Sequence, residues 1–187
     1  ALTLEQDGRV ATGVRGPGGG CGQRVRHDRF DHRARPPAQR WCKRGDPDKQ
    51  ALGRSRGGLS TKIHATVDAL GNPTGFLLTP GQAHDLQGAD ALLKDTPAQA
   101  VIADKAYDAH SRLIKPLQDK GKTVVIPSRV TNRQPREHDR DLYKARHLIE
   151  NFFARLKQYR AIATRYDKTA RNFLGAVHLA AAMVWLA

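Results

Sequence analysis

Between Thr61 and Ala69 polar and apolar positions alternate, Ile63, Ala65 and Val67 falling on one face, which predicts a strand. Gly71-Asn72-Pro73 predicts a turn, and Thr74 to Thr79, through Phe76, Leu77 and Leu78, a second strand that closes a hairpin. Pro80-Gly81 ends it. Asp85 to Lys94 then takes a helical period, with Leu86, Ala89, Leu92 and Leu93 inward. Ala98 to Ala103 is a short apolar run that predicts a buried strand, and Asp104 stands at its carboxyl end. His110 to Lys120 is helical through Leu113, Ile114 and Leu117, and Thr123 to Ile126 is a strand stopped by Pro127. Ser128 to Arg140 is polar and basic, a mobile loop by composition. From Tyr143 to Lys157 one amphipathic helix is predicted, with Leu148, Ile149, Phe152, Phe153 and Leu156 on its apolar stripe. A basic turn, Thr164 to Lys168, leads to a last apolar helix, Arg171 to Ala187. This order predicts an α/β fold: a mixed sheet with flanking helices on both faces.

Composition narrows the partners. A chain of 187 residues can bury one real core. Its net charge of +14 and pI of about 10.4 favour a polyanion, with nucleic acid first. No run is long enough to span a membrane, and no long basic amphipathic helix points to a membrane surface. No signal peptide is evident, so the expected location is the cytoplasm, against the nucleoid. Cys21 and Cys42 have neither metal spacing nor a disulfide pattern.

The chemistry is concentrated in the Tyr143–Lys157 helix. Tyr143, Arg146, Glu150 and Lys157 are offset by three, four and seven, so they lie on roughly one helix face. A charged line of this kind is usually only a solvated face. The order Tyr, two residues, Arg, three residues, Glu, six residues, Lys resembles the signature around the catalytic glutamate of DDE transposases of bacterial insertion sequences, in the family-five group. Val101-Ile102-Ala103-Asp104-Lys105-Ala106-Tyr107-Asp108 resembles that family's second catalytic segment. Gly81-Gln82-Ala83-His84-Asp85 and Arg160 to Lys168 also resemble family segments, the first structural and the second a DNA-facing basic turn.

The resemblance covers about Asp46 to the C-terminus and implies an RNase H-like catalytic domain. It implies that Asp104 and Glu150 are catalytic carboxylates that hold Mg2+ (or Mn2+), and that Tyr143, Arg146 and Lys157 hold DNA near the cut. Magnesium suits this reading because it takes few protein ligands, often one or two carboxylates. Without the signature, Asp104 reads more readily as a cap on the next turn, Tyr143 equally well as packing, and Asp108 as a turn or cap residue. Arg54 and Arg56, in the short basic loop Gly53 to Gly58, and Lys105 are further candidate phosphate contacts; each is otherwise a solvated charge. His64 and His84 match no zinc spacing.

Residues 1–45 read differently. Ala11 to Gly22 is mostly glycine and small residues, and no lysine occurs before Lys43 although arginine is frequent. By composition this is a disordered basic segment able to track phosphates. The codons of His27 to Lys43 also permit, one nucleotide later, a peptide beginning Met-Ile-Asp-Ser-Thr. That peptide resembles the family's first catalytic-aspartate segment. The segment is therefore expected to be read out of frame, rejoining by a minus-one shift near Lys43 and Arg44, and Ala1 in place of Met fits an incomplete frame. On this reading the catalytic domain, 46–187, has its first strand missing, and Asp28 and Asp31 follow no apolar strand that would make them substitutes.

The resulting expectation is a transposase acting on double-stranded DNA, both element ends and target, with a homo-oligomer in the DNA complex. As this fragment it should be inactive, because one carboxylate is missing. Three alternatives stay open: a non-catalytic DNA-binding remnant, an RNase H-like nuclease, and an RNA-binding protein if the basic arm is genuine.

Overall fold

The structure, a computed structural model, describes residues 22–31, 50–55, 58–94, 96–130, 132 and 135–186, the first of these segments as backbone only. Six strands form one sheet: β1 (Gly22–Asp31), β2 (Gly53–Ser55), β3 (Gly58–Val67), β4 (Pro73–Pro80), β5 (Ala100–Ala103) and β6 (Thr123–Val125). The strand order is β2-β3-β1-β5-β6, with β4 also paired to β3. β3 is antiparallel to β1, β2 and β4, whereas β1, β5 and β6 run parallel. The helices are α1 (Leu86–Leu93), α2 (Lys115–Asp119, entered through a π-helical turn at His110–Ile114), α3 (Arg140–Lys144), α4 (His147–Gln158), α5 (Arg160–Thr164) and α6 (Ala170–Leu186).

The sheet is covered on both faces. Ile63, Ala65 and Val67 of β3 pack with Ile149, Phe152, Phe153 and Leu156 of α4, Ile162 of α5, and Phe173 and Val177 of α6. On the opposite face Val101 and Ala103 of β5 pack with α1 and with Leu113, Ile114 and Leu117. Alternation along β5 sends Ile102 the other way, where it meets Val125 and Ala145. β3 buries its polar positions too: Lys62, His64 and Thr66 are at most 5 % exposed. Each has a partner, as buried polar groups require. Lys62 Nζ donates to Asp85 Oδ1 at 2.6 Å and to the Ala83 carbonyl at 2.5 Å, His64 Nε2 lies 2.8 Å from Thr79 Oγ1, and Thr66 Oγ1 donates to the Gly75 carbonyl. The Gly81–Asp85 segment, with its Lys62 partner, is thus a structural seam between β4 and α1. At the hairpin, Gly71 takes φ +93°, and Asp68 accepts the Leu70 and Asn72 amides.

Three expectations are corrected. The first strand is not missing: Gly22–Asp31 occupies the slot between β3 and β5, eight residues in register with β3 and four with β5. The slot is filled by backbone groups, which pair through N–H and C=O whatever the side chains are. A search for an apolar run could not see a strand with the composition of Gly-Gln-Arg-Val-Arg-His-Asp-Arg-Phe-Asp. The rest of the proposed disordered segment lies outside the described residues.

Second, Tyr143 to Lys157 is not one continuous helix. Ala145 and Arg146 form a tighter turn in which the amides of Ala145, Arg146 and Leu148 bond three residues back, to Leu142, Tyr143 and Ala145. Third, the Thr164–Lys168 turn is not simply a DNA-facing basic surface. Arg165, at φ +38°, points inward and is 2 % exposed. It donates to the Gln50 carbonyl at 2.7 Å and to Thr61 Oγ1, and its guanidinium lies 4.9 Å from the Phe173 ring. Burial pulls its pKa down to about 10, which leaves it charged at neutral pH.

Candidate functional site

Asp104 follows β5 with φ −71° and ψ 158°, so the extended alternation of the strand continues through it. Ile102 faces Ala145, Leu142 and Tyr143, and Asp104, two residues on, shares that side of the sheet. α3 begins at Asp139, whose carboxylate accepts the Asp141 and Leu142 amides as an N-cap. The next turn tightens at Ala145, whose side chain is buried against β5 and β6. In such a turn, side chains three apart eclipse. Arg146 accordingly lies over the Tyr143 ring, 5.6 Å from its centroid. One turn further, Arg146 Nη1 is 2.6 Å from Glu150 Oε1, with the two side chains 26 % and 37 % exposed.

Tyr143 is common to the surroundings of both candidate carboxylates: it packs on the side of β5 that Asp104 shares, and Arg146, over its ring, pairs with Glu150. Its phenol pKa is raised, first by burial, then by the charges of Asp104 and Glu150, against the lowering effect of Arg146. The charges of both carboxylates raise it, although one ends a strand and the other sits on a helix 46 positions later. His138 packs edge-on against the same ring at 5.4 Å. It bounds a hollow of about 440 Å3 lined by Arg136, Glu137, His138 and Arg140.

The other candidates are less tightly gathered. Lys157 lies in the last turn of α4, on the order of 10 Å along the helix from Glu150. Lys105 is exposed in the 3-10 turn Lys105–Tyr107 that follows Asp104. Arg54 is exposed on β2, level with Leu59 at the start of β3. Asp104 is level with Arg26 and hence with Ala65 of β3, so Arg54 stands six positions further along that strand, on the order of 20 Å away. Arg56 lies outside the described residues. Among the described residues no group of three or more His, Cys, Asp or Glu side chains could hold a metal ion. On β1, Val25 pairs with Ala103, so Arg26 is the next position, level with Asp104, and Asp28 pairs with Ile63 of β3.

Sequence reasoning treated Asp108 as a cap and overlooked His138. The carboxylate of Asp108 is 4 % exposed and pairs with Arg136. It also accepts the Arg129 amide at 2.8 Å. Burial alone would raise its pKa; the Arg129 amide and the Arg136 guanidinium outweigh that and hold it below the usual range. Partners 21 and 28 positions away leave no local sequence signal.

The profile of the family described as Transposase DDE domain matches residues 11–185. The chain belongs to the DDE transposase family. The match begins inside the glycine-rich N-terminal segment. A protein described as a transposase for insertion sequence element IS6501, from Brucella ovis, is 45% identical over 130 residues, 68% of this chain and 99% of the relative. A second, described as a transposase for insertion sequence element IS402, from Burkholderia cepacia, is 30% identical over 145 residues, 71% of this chain. The aligned part is 64% of that relative's length. No solved structure matches this transposase-family chain significantly. No helix among its described residues is long and apolar enough to cross a membrane.

Proposed function

We propose that this chain is the catalytic part of an insertion-sequence transposase, which cuts and joins double-stranded DNA at element ends and target as a homo-oligomer, in the cytoplasm against the nucleoid. The observation that carries the reading is that Asp104 lies on the side of β5 that packs against Tyr143, while Glu150 is ion-paired to Arg146, which stacks over the same ring. An RNase H-like fold is supported by the order β4-β3-β1-β5-β6 with β3 alone reversed, and by the position of Asp104 at a strand's carboxyl end.

Asp104 and Glu150 fit a divalent magnesium or manganese ion, since magnesium typically takes one or two carboxylates. When bound, such an ion would polarise the scissile phosphate and lower the pKa of the attacking hydroxyl. The chain's own residues would bind and orient. Arg146 holds Glu150 and Tyr143 in one register and presents its remaining donors to a phosphate. Tyr143 offers a neutral hydroxyl, as an ordinary phenol does at neutral pH. Lys157, Lys105 and Arg54 extend the cationic track along the DNA, and Arg56 is included on sequence alone.

With two gathered carboxylates, the fragment is proposed to be inactive or nearly so, its first forty or so residues being translated out of frame. The active form would be the fused product carrying the Met-Ile-Asp-Ser-Thr strand. Two measurements test this. Reading the coding DNA from Leu4 to Asp46 shows whether the adjacent frame spells that strand. Purified chain and fused product are then incubated with element ends and magnesium. The fused product should join ends and lose at least about a hundredfold on Glu150→Gln or Asp104→Asn, by loss of a ligand, while the chain should do neither. Cutting or joining by the chain itself, abolished by Glu150→Ala, would falsify the claim of inactivity. Cut ends without joined products from the fused form would favour the nuclease reading.

A further inference from the structure

The segment between β6 and α3 is rich in arginine, and two of its arginines, Arg129 (exposed) and Arg136 (half-buried), bond the neighbouring Lys105–Asp108 turn. Arg129 Nε donates to the Lys105 carbonyl at 3.1 Å, and Arg129 Nη2 to the Ala106 carbonyl at 2.6 Å. Arg136 pairs with the buried carboxylate of Asp108, and its own amide donates to Ser128 Oγ at 2.8 Å. Asp108 also accepts the Arg129 amide. Apart from the Arg136–Ser128 bond, which closes the segment on itself, these bonds join residues 129–136 to the turn Lys105–Asp108, which begins one residue after Asp104. Beyond the tether, Arg136, His138 and Arg140 surround the 440 Å3 hollow, with Glu137 as the one acid among the described residues that line it. His138 then touches Tyr143, which packs on Asp104's side of β5 and lies under Arg146, the partner of Glu150.

We propose that Asp108 is a positioning residue: its buried carboxylate pins the basic segment to the Asp104 turn, so that the hollow of Arg136, His138 and Arg140 is set beside the two carboxylates as a subsite for a DNA phosphate. A single acid gathers the segment, and the cations beyond it are left to face a polyanion. This rests on the reading that the protein's partner is DNA.

The proposal makes a prediction opposite in sign to simple electrostatics. Removing an acid from a DNA-facing surface should tighten binding to a polyanion. If Asp108 positions the subsite, its removal should weaken binding instead. The test uses the full chain and a short fluorescein-labelled duplex of mixed sequence, with anisotropy read across a salt series. Asp108→Asn should bind about tenfold more weakly, with a log–log salt slope shallower by roughly 2, at about 0.9 for each phosphate no longer neutralised. Arg140→Gln should lower the slope by about 1. Asp108→Glu should restore part of both effects, which a merely destabilised variant would not. Trypsin cleavage after Arg129 and Arg136 should accelerate in Asp108→Asn while the thermal transition stays cooperative. Equal or tighter binding by Asp108→Asn overturns the positioning role, as does unchanged trypsin protection. Wild-type chain that binds no duplex at any salt sinks the transposase reading and the phosphate subsite together, with the trypsin arm still reporting the tether by itself.

Discussion

Two stretches of this chain look alike in composition and are put to opposite uses. Residues 128–140 and 160–168 are both short and basic by sequence, the first reading as a mobile loop and the second as a turn facing DNA. In the second, Arg165 turns into the core and bonds the Gln50 carbonyl and Thr61 across more than a hundred positions of sequence. In the first, Arg136 meets an acid that is almost as buried, and the remaining cations stay around an open hollow. The difference is the partner available. Arg165 finds carbonyls and a hydroxyl at the start of β3 together with an aromatic face, all fixed by the fold. The loop finds one carboxylate, Asp108, and the carbonyls of Lys105 and Ala106, all within one short turn.

The largest test of that contrast is Arg165→Met. It should cost about 3 kcal/mol in urea unfolding, because it leaves buried acceptors without their donor. The DNA salt slope, measured where the variant is still folded, should not change. A variant of normal stability with a shallower slope would reverse the comparison. A smaller effect is expected from pH. The Asp108 pKa is lowered by folding, so its tether contributes fully above the ordinary carboxyl value of 3.8 and is lost as pH falls through the lowered value. Hydrogen exchange at the Arg129 amide, which donates to Asp108, should accelerate in that window ahead of the β3 amides. Simultaneous loss would mean that the loop has no independent tether. The smallest effect is at Lys144 and Asp141, a pair 78 % and 88 % exposed. Lys144→Gln should leave the unfolding midpoint unchanged within error, since exposed pairs add little. A clear loss there would mean that α3 depends on more than its Asp139 cap.

Much of the fold was legible because burial imposes a period. The hairpin, α1, β5, β6 and α6 lie within a few residues of where their apolar spacing puts them. The Ile63, Ala65 and Val67 face is the one that meets α4 and α6. The polar face of β3 was not legible as buried, because Lys62 and His64 are tolerated only by partners in β4 and the Ala83–Asp85 turn. The tight turn at Ala145-Arg146 was equally hidden. Its residues have ordinary helical propensity, and the spacing of Tyr143 and Arg146 is compatible with either helix form. At the site, the spacing of Glu150 with Tyr143 and Arg146 was readable, whereas Asp108 with Arg136 was not, since a contact between two loops has no repeat.

The sequence alone determined which segments could be strands or helices from Thr61 onward, a strongly cationic surface, and the two acids that could serve a metal, Asp104 and Glu150. The segments and the charge follow from local periodicity and side-chain chemistry, whereas the two acids are singled out by resemblance to the family's catalytic segments. Tertiary structure decided that β1 fills the slot between β3 and β5, that Arg165 faces inward while Arg140 faces out, and that Tyr143, under the Arg146 that pairs with Glu150, packs on Asp104's side of β5. Those outcomes depend on which backbone groups, carboxylates and aromatic faces the closed sheet brings within reach, and that information is not local in the chain.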